Sequence, residues 1–408
     1  MAIPQKVLFD QLPLGVAMKS AETYDEIRPL VDLCKAGKLF EVQEWIASGK
    51  PVNLPLNPEK KVARQSPLHV AMESGFHSLV KVLIDGGAQI EELRYSPLEH
   101  AVQKRRLDLV KLLVEKGAKV RSIDIREVFE RWNPEMVEYF IDQGADLETG
   151  NPVAWALCHK IRPALGLLKR YPDRFPSFQE QANIALRHHC WEGNLKWVSL
   201  MLWAGGDPYS RGADSPEQET DPENDNNALE NAAFHGRLDI FRLKAIPLDP
   251  KRPDSRKIVE NACHAENSDV LKLLLESGFN PQDWEDKGSS LIQSLFWHMS
   301  FDWGFSPFSG LKKKEKDLDT RRSRESIKMI HLLVRHGARW KPDKHDVNYA
   351  RRSLMKMARD YTMEFVWIMS KYKACSKEII EQLLRPAPIR ILVEKHQKRL
   401  NELITALE

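Results

Sequence analysis

Two stretches decide the fold: "SPLHVAMESGFHSLVKVLIDGGAQIE" (residues 66–91) and "SPLEHAVQKRRLDLVKLLVEKGAKVR" (residues 96–121). Each opens with Ser-Pro-Leu, carries a second block of the form Leu-Val-Lys-x-Leu, and closes on Gly-Ala. A serine side chain accepts from the open amides of a helix start and proline suits the first helical position, so Ser66-Pro67 and Ser96-Pro97 each begin a helix. Glu99, three residues after Ser96, predicts a capping box. Gly87 and Gly117 fall where a second helix should end in a left-handed turn that disfavours a Cβ. Leu79, Val80, Val82, Leu83 and Ile84 are apolar over more than one face, which fits a helix held between neighbours on both sides.

The same ending recurs as "MVEYFIDQGADLE" from Met136, "WVSLMLWAGGDP" from Trp197, "VLKLLLESGFNP" from Val270 and "IHLLVRHGARW" from Ile330, with "VQEWIASGKPV" from Val42 as a first copy. The spacing from Gly87 to Gly117, and on to Gly144, is about thirty residues, the period of a two-helix repeat. Ser66-Pro67-Leu68-His69-Val70-Ala71 closely resembles the Thr-Pro-Leu-His-x-Ala opening of the ankyrin repeat. The resemblance covers residues 66–149 and 255–283 and is degenerate elsewhere; Asn227 and Glu230 stand where that opening has Thr and His.

The resemblance implies an all-α, ankyrin-type helical-repeat solenoid of about ten helix pairs, joined by short β-hairpin fingers. It also implies that the fingers and first helices bind another macromolecule. The matching finger residues here are Glu91, Glu92, Arg94 and Tyr95; Lys119 and Arg121; Asp146 and Glu148. The expected division is an N-terminal extension (1–21), ankyrin-like repeats (22–149), diverged repeats (150–210), an acidic loop (211–227), further ankyrin-like repeats (228–298), an aromatic and basic insertion (299–324), diverged repeats (325–375) and a C-terminal helical cap (376–408).

Composition narrows the class. Hydrophobic residues make up 42% and charged ones 29%, and no run approaches the roughly 20 apolar residues a membrane helix needs. The first residues carry no recognisable signal-peptide pattern. Five widely spaced cysteines, an odd number, suit a reducing compartment, so a cytoplasmic location is expected. A net charge of +3 leaves electrostatic recognition to local segregation of charge.

Two insertions interrupt the period. Between Asp214 and Asp225 six acidic residues occur with no positive charge among them, a composition expected to stay mobile in solvent. It is no calcium loop, because Asn226 stands at the required glycine and Ala232 at the bidentate glutamate. The second insertion contains "FWHMSFDWGFSPFSGLKKKEKD" (296–317). Phe296 and Trp297 are expected in the core, whereas Trp303, Phe305 and Phe308 must dock on the array or on a partner. Beside them a basic group comprises Lys312, Lys313, Lys314, Arg321, Arg322 and Arg324, followed by Arg351 and Arg352.

No phosphate-cradling loop, His-Glu-x-x-His or Cys-x-x-Cys motif occurs, so no catalytic residue is assigned. His188-His189-Cys190 and Cys263-His264 are expected between helices, since adjacent helical residues point apart and do not converge on a metal unaided. The expected function is a non-enzymatic protein–protein interaction scaffold, an adaptor or inhibitor, without cofactor or metal. The alternative is nucleic-acid or other polyanion binding through the basic residues.

Overall fold

Ser66 Oγ accepts the amide of His69 at 3.0 Å and Ser96 Oγ that of Glu99 at 3.1 Å, so both Ser-Pro-Leu openings cap helices as predicted. The reciprocal half of the Ser96 box is replaced, because the Glu99 carboxylate accepts from Gln103 Nε2 at 3.0 Å instead. A complete capping box forms at Asn227 and Glu230, the positions where the opening motif had diverged. The computed structural model describes residues 20–384 apart from 56–64, 91–94, 172–173, 222–224, 266–267, 287, 302–314 and 357–358; for 297–301, 315–323, 352, 355–356, 359–363 and 384 it describes the backbone.

The chain divides into two units, residues 1–156 with 161–164, and 157–160 with 165–408. In the first, the helices are α1 (Tyr24–Lys35), α2 (Leu39–Ala47), α3 (Pro67–Ser74), α4 (His77–Asp85), α5 (Pro97–Gln103), α6 (Leu107–Glu115), α7 (Ile125–Glu130) and α8 (Pro134–Asp142). First helices stack on first helices (α1, α3, α5, α7) and second on second (α2, α4, α6). Each second helix thus buries two faces, as the apolar breadth of Leu79–Ile84 predicted. Helix α9 (Pro152–Cys158) runs across the division in the sequence.

The second unit continues with α10 (Leu165–Arg170), α11 (Phe178–Glu192), α12 (Leu195–Ala204), α13 (Ala228–Phe234), α14 (Leu238–Phe241), α15 (Ser255–His264), α16 (Ser268–Glu276), α17 (Ser289–Phe301), α18 (Glu315–Arg335), α19 (Lys344–Lys356), α20 (Arg359–Lys371) and α21 (Lys377–Leu384). The same alternation holds: α11, α13, α15, α17, α19 and α21 form one layer, and α10, α12, α14, α16, α18 and α20 the other.

The Gly-Ala endings work as read. Gly87 has φ +93° and Gly117 φ +103°, a conformation costly for a side chain. After each of these helices two amides fold back on orphan carbonyls: Gly87 N to Ile84 O at 3.0 Å with Ala88 N to Leu83 O at 2.9 Å, and Gly117 N to Val114 O at 3.0 Å with Ala118 N to Leu113 O at 2.9 Å. The diverged copies at Gly205, Gly278 and Gly337 make the same paired bonds.

Among the described residues the connections carry no strand; Ser20 pairs with Asn53 in an isolated parallel bridge, Tyr95 is a bridge residue, and short 3-10 turns such as Val120–Ser122 occur, while finger residues 91–94 lie outside the described residues. A side chain does the work of a ladder: Asn53, 5% exposed, donates Nδ2 to Gly87 O at 2.8 Å and accepts from Gln89 N at 2.7 Å.

The acidic segment corrects a second expectation. Ala213 and Asp225 are buried, and the exposed stretch is confined to its middle. Two arginines hold it. Arg187 of α11, fully buried, donates Nε to Ala213 O at 2.7 Å and Nη1 to Ser210 O at 3.1 Å, and pairs with Glu180. Arg211 donates to Asp225 O at 2.9 Å and pairs with the buried Glu230. Buried charge is tolerable when it is paired and its remaining protons are bonded, which both guanidinium groups achieve.

Helix α18 begins at Glu315, within the segment read as the second insertion, so Arg321, Arg322 and Arg324 are helical. Phe296 is fully buried, with its ring 5.3 Å from that of Trp340 and 5.1 Å from that of Phe365, as expected of a core residue.

Candidate functional site

Of the predicted finger residues that the structure describes, Tyr95 is built into an aromatic cluster. Its ring stacks on His69 at 3.7 Å and 4°, and His100 lies 5.7 Å away. Burial is the first cause holding the His100 pKa below the usual imidazole value. Lys119 and Arg121 are exposed, and Arg121 Nε donates to Gly144 O at 3.3 Å. Asp146 caps a turn, accepting the amides of Glu148 and Thr149 at 2.8 and 3.0 Å; bonds from Thr149 hold its carboxyl below the ordinary range. Glu148 is exposed. Glu91, Glu92 and Arg94 lie outside the described residues, as do Trp303, Phe305, Phe308, Lys312, Lys313 and Lys314. The side chains of Trp297, Arg321, Arg322 and Arg352 also lie outside them. Arg324 is exposed, and Arg351 donates to Asn348 Oδ1 at 2.7 Å.

The sequence reading missed an aromatic edge in the second unit. Trp191 is the penultimate residue of α11 and Phe234 the last of α13, each beside the turn between the two helices of a pair, and they are 46% and 47% exposed. They are not loose. Trp191 meets His235 edge-on at 5.3 Å, Phe234 meets His235 at 5.2 Å, and Phe234 lies 6.0 Å from His264. His264, expected between helices, is exposed at the end of α15. Arg237 Nε donates to Trp191 O at 3.2 Å and so ties this turn to the next. Burial pushes the His235 and His264 pKa values down, favouring the neutral rings.

On the connection side of the same unit an open groove of about 700 Å³ is lined by Lys251, Arg252, Arg256, Asp283, Trp284 and Glu285, among others. Arg252 sits 4.0 Å over the Tyr209 ring and Arg256 5.8 Å over Trp284. Arg256 is also held by Glu260 at 2.8 Å and Asp286 at 3.2 Å.

His188 and His189 behave differently from one another. His189 and Cys190 are fully buried as expected, whereas the His188 side chain is 26% exposed. His189 Nε2 lies 3.1 Å from Leu157 O and Nδ1 3.2 Å from Glu192 Oε2, while its ring stacks on Trp197 at 5.2 Å. Burial would raise the Glu192 pKa, but the neighbouring His189 and Lys160 outweigh it and hold the carboxyl below its usual value. The two adjacent imidazoles do converge, because Glu192, three and four residues on, supplies the point at which they meet.

Residues 30–124 match the family model for ankyrin repeats, which spans three copies. No curated protein matches the chain significantly. Among solved structures, the human ASB11 ankyrin repeat domain is similar over 57% of this chain and 97% of its own, at 19% identity and a TM-score of 0.35. An ankyrin repeat domain from Acinetobacter baumannii AYE is similar over 61% of this chain and 97% of its own, at 18% identity and a TM-score of 0.29. No helix among the described residues is long and apolar enough to cross a membrane. The capped Ser-Pro-Leu openings, the Gly-Ala closures and the family match agree that residues 30–124 are ankyrin repeats.

Proposed function

We propose that this chain is a non-enzymatic protein-binding scaffold, acting as an adaptor or inhibitor in the cytoplasm. Ankyrin repeats generally mediate protein–protein interaction. The observation that supports a place on the molecule for this reading is the half-exposed pair Trp191 and Phe234, each edge-on to His235, with Phe234 also beside His264. Aromatic side chains dominate binding hot spots, and rings already held by neighbours lose little freedom when a partner covers them. Trp303, Phe305 and Phe308, which lie between α17 and α18 in the sequence and outside the described residues, are proposed to extend this contact. Tyr95, Lys119, Arg121, Asp146 and Glu148, with Glu91, Glu92 and Arg94, form a second proposed contact on the connection side of the repeats.

The test is co-purification followed by measured binding to the protein recovered. Trp191→Ala together with Phe234→Ala should weaken that binding by at least about 30-fold, the equivalent of one hot-spot residue, with the thermal transition unmoved. Binding within about twofold of the unsubstituted chain would remove this edge from the interface.

A further inference from the structure

Glu192, in the last turn of α11, is where two imidazoles and an ammonium meet. Its carboxylate lies 3.2 Å from His189 Nδ1, 3.8 Å from His188 Nε2 and 3.2 Å from Lys160 Nζ. One donor atom from each of His188, His189 and Glu192 lies within 4.8 Å of the others.

The tautomer of His189 follows from its partners. The Leu157 carbonyl can only accept, so Nε2 donates to it across 3.1 Å and the neutral ring keeps its lone pair on Nδ1. That lone pair faces Glu192 Oε2, another acceptor, at 3.2 Å. Two acceptors turned toward each other call for a cation between them. A proton would join these two groups alone and leave His188 without a part. A metal ion would use all three, and two histidines with one glutamate is a donor set that binds zinc with a coordination position open.

Two further features fit a metal. Imidazoles that ligate metals characteristically donate their other N–H to a backbone carbonyl or carboxylate, as His189 does to Leu157. The site also sits at the C-terminus of a 15-residue helix, where the aligned peptide dipoles favour positive charge. His188 and Glu192 are 26% and 28% exposed, so an ion can reach the site from solvent while His189 anchors it from within.

We propose that His188 Nε2, His189 Nδ1 and the Glu192 carboxylate form a binding site for a divalent transition-metal ion, zinc in the first instance, with water completing its coordination. Bonds of about 2.0–2.2 Å place tetrahedral ligands about 3.4 Å apart, so His189 and Glu192 are already at spacing and His188 closes by a small rotation. Lys160 is the competitor. Its ammonium pairs with the same carboxylate, and at 44% exposure it can swing into water when a metal enters.

The test titrates zinc against a chromophoric chelator with protein carrying no polyhistidine tag. One ion per chain should bind at this site, weakened at least about 100-fold by His188→Ala and likewise by Glu192→Gln. Lys160→Gln should bind zinc more tightly, because a competing positive charge is gone. Both ligand substitutions are at partly exposed side chains, and far-UV circular dichroism checks that the helices persist. His189→Ala is not used, since it would strip a buried ring from Trp197. The absence of binding to the unsubstituted chain, binding that survives both substitutions, or weaker binding by Lys160→Gln would each overturn the proposal.

Discussion

Arg187→Ala should release the segment that begins at Ser210. The side chain is fully buried, with Nε 2.7 Å from Ala213 O and Nη1 3.1 Å from Ser210 O. Truncation orphans two carbonyls at about 1–3 kcal/mol each if they stay buried, and removes the volume of a long side chain. Movement of the segment into water recovers part of that, leaving an expected loss of about 3–5 kcal/mol. The partner should behave differently. Glu180 is 44% exposed and stays hydrated without the arginine, so Glu180→Gln should cost less than about 1 kcal/mol. Urea unfolding gives the two magnitudes, and hydrogen exchange at Gly212 and Ala213 locates the change. A cost below about 1 kcal/mol for Arg187→Ala, or equal costs for the two variants, would refute the claim that this guanidinium pins the segment.

Asn53→Ala should lower stability by about 1–3 kcal/mol, seen as a shift in the urea midpoint, because Gly87 O and Gln89 N both lose their side-chain partner. His100, His235, His264 and His331 are held below the ordinary imidazole range, burial being the first cause in each. The unfolded chain therefore takes up protons below about pH 6.5 where the native one does not, so stability should be level above that pH and fall below it. Glu127 and Glu230, pushed up by burial, act in the opposite sense nearer the carboxylate range and should flatten the acid end; thermal melts from pH 8 to 5 read the slope. Burial raises the thiols of Cys34, Cys158, Cys263 and Cys375 to about 12, and it also pushes the Cys190 thiol up. A thiol reagent at pH 8 should modify them slowly in native protein and fully in denaturant; a rapidly labelled native thiol would contradict the burial.

What was legible in the sequence was local. A serine three residues before the amide it caps, or a glycine just past a helix, acts over one turn, and Ser66, Ser96, Gly87 and Gly117 all do as their positions imply. The acidic segment misled because its composition hides its partners: Arg187 reaches it from α11 and Arg211 closes it on Asp225 and Glu230, and no local pattern announces that. Trp191 and Phe234 were passed over because periodicity gives the face of a helix but not the exposure of the residues at its end. Their place immediately before a turn was the available signal. Adjacency argued against His188 and His189 as a pair, while Glu192, at the shared three- and four-residue spacing, is the signal on which the proposed site rests.

The central claim is that the aromatic edge of the second unit is a surface for another protein. The direct measurement is the dissociation constant for a co-purified partner, compared between the unsubstituted chain and Trp191→Ala/Phe234→Ala, with matched thermal transitions. The account predicts a loss of at least about 30-fold. Equal affinity at equal stability would contradict it.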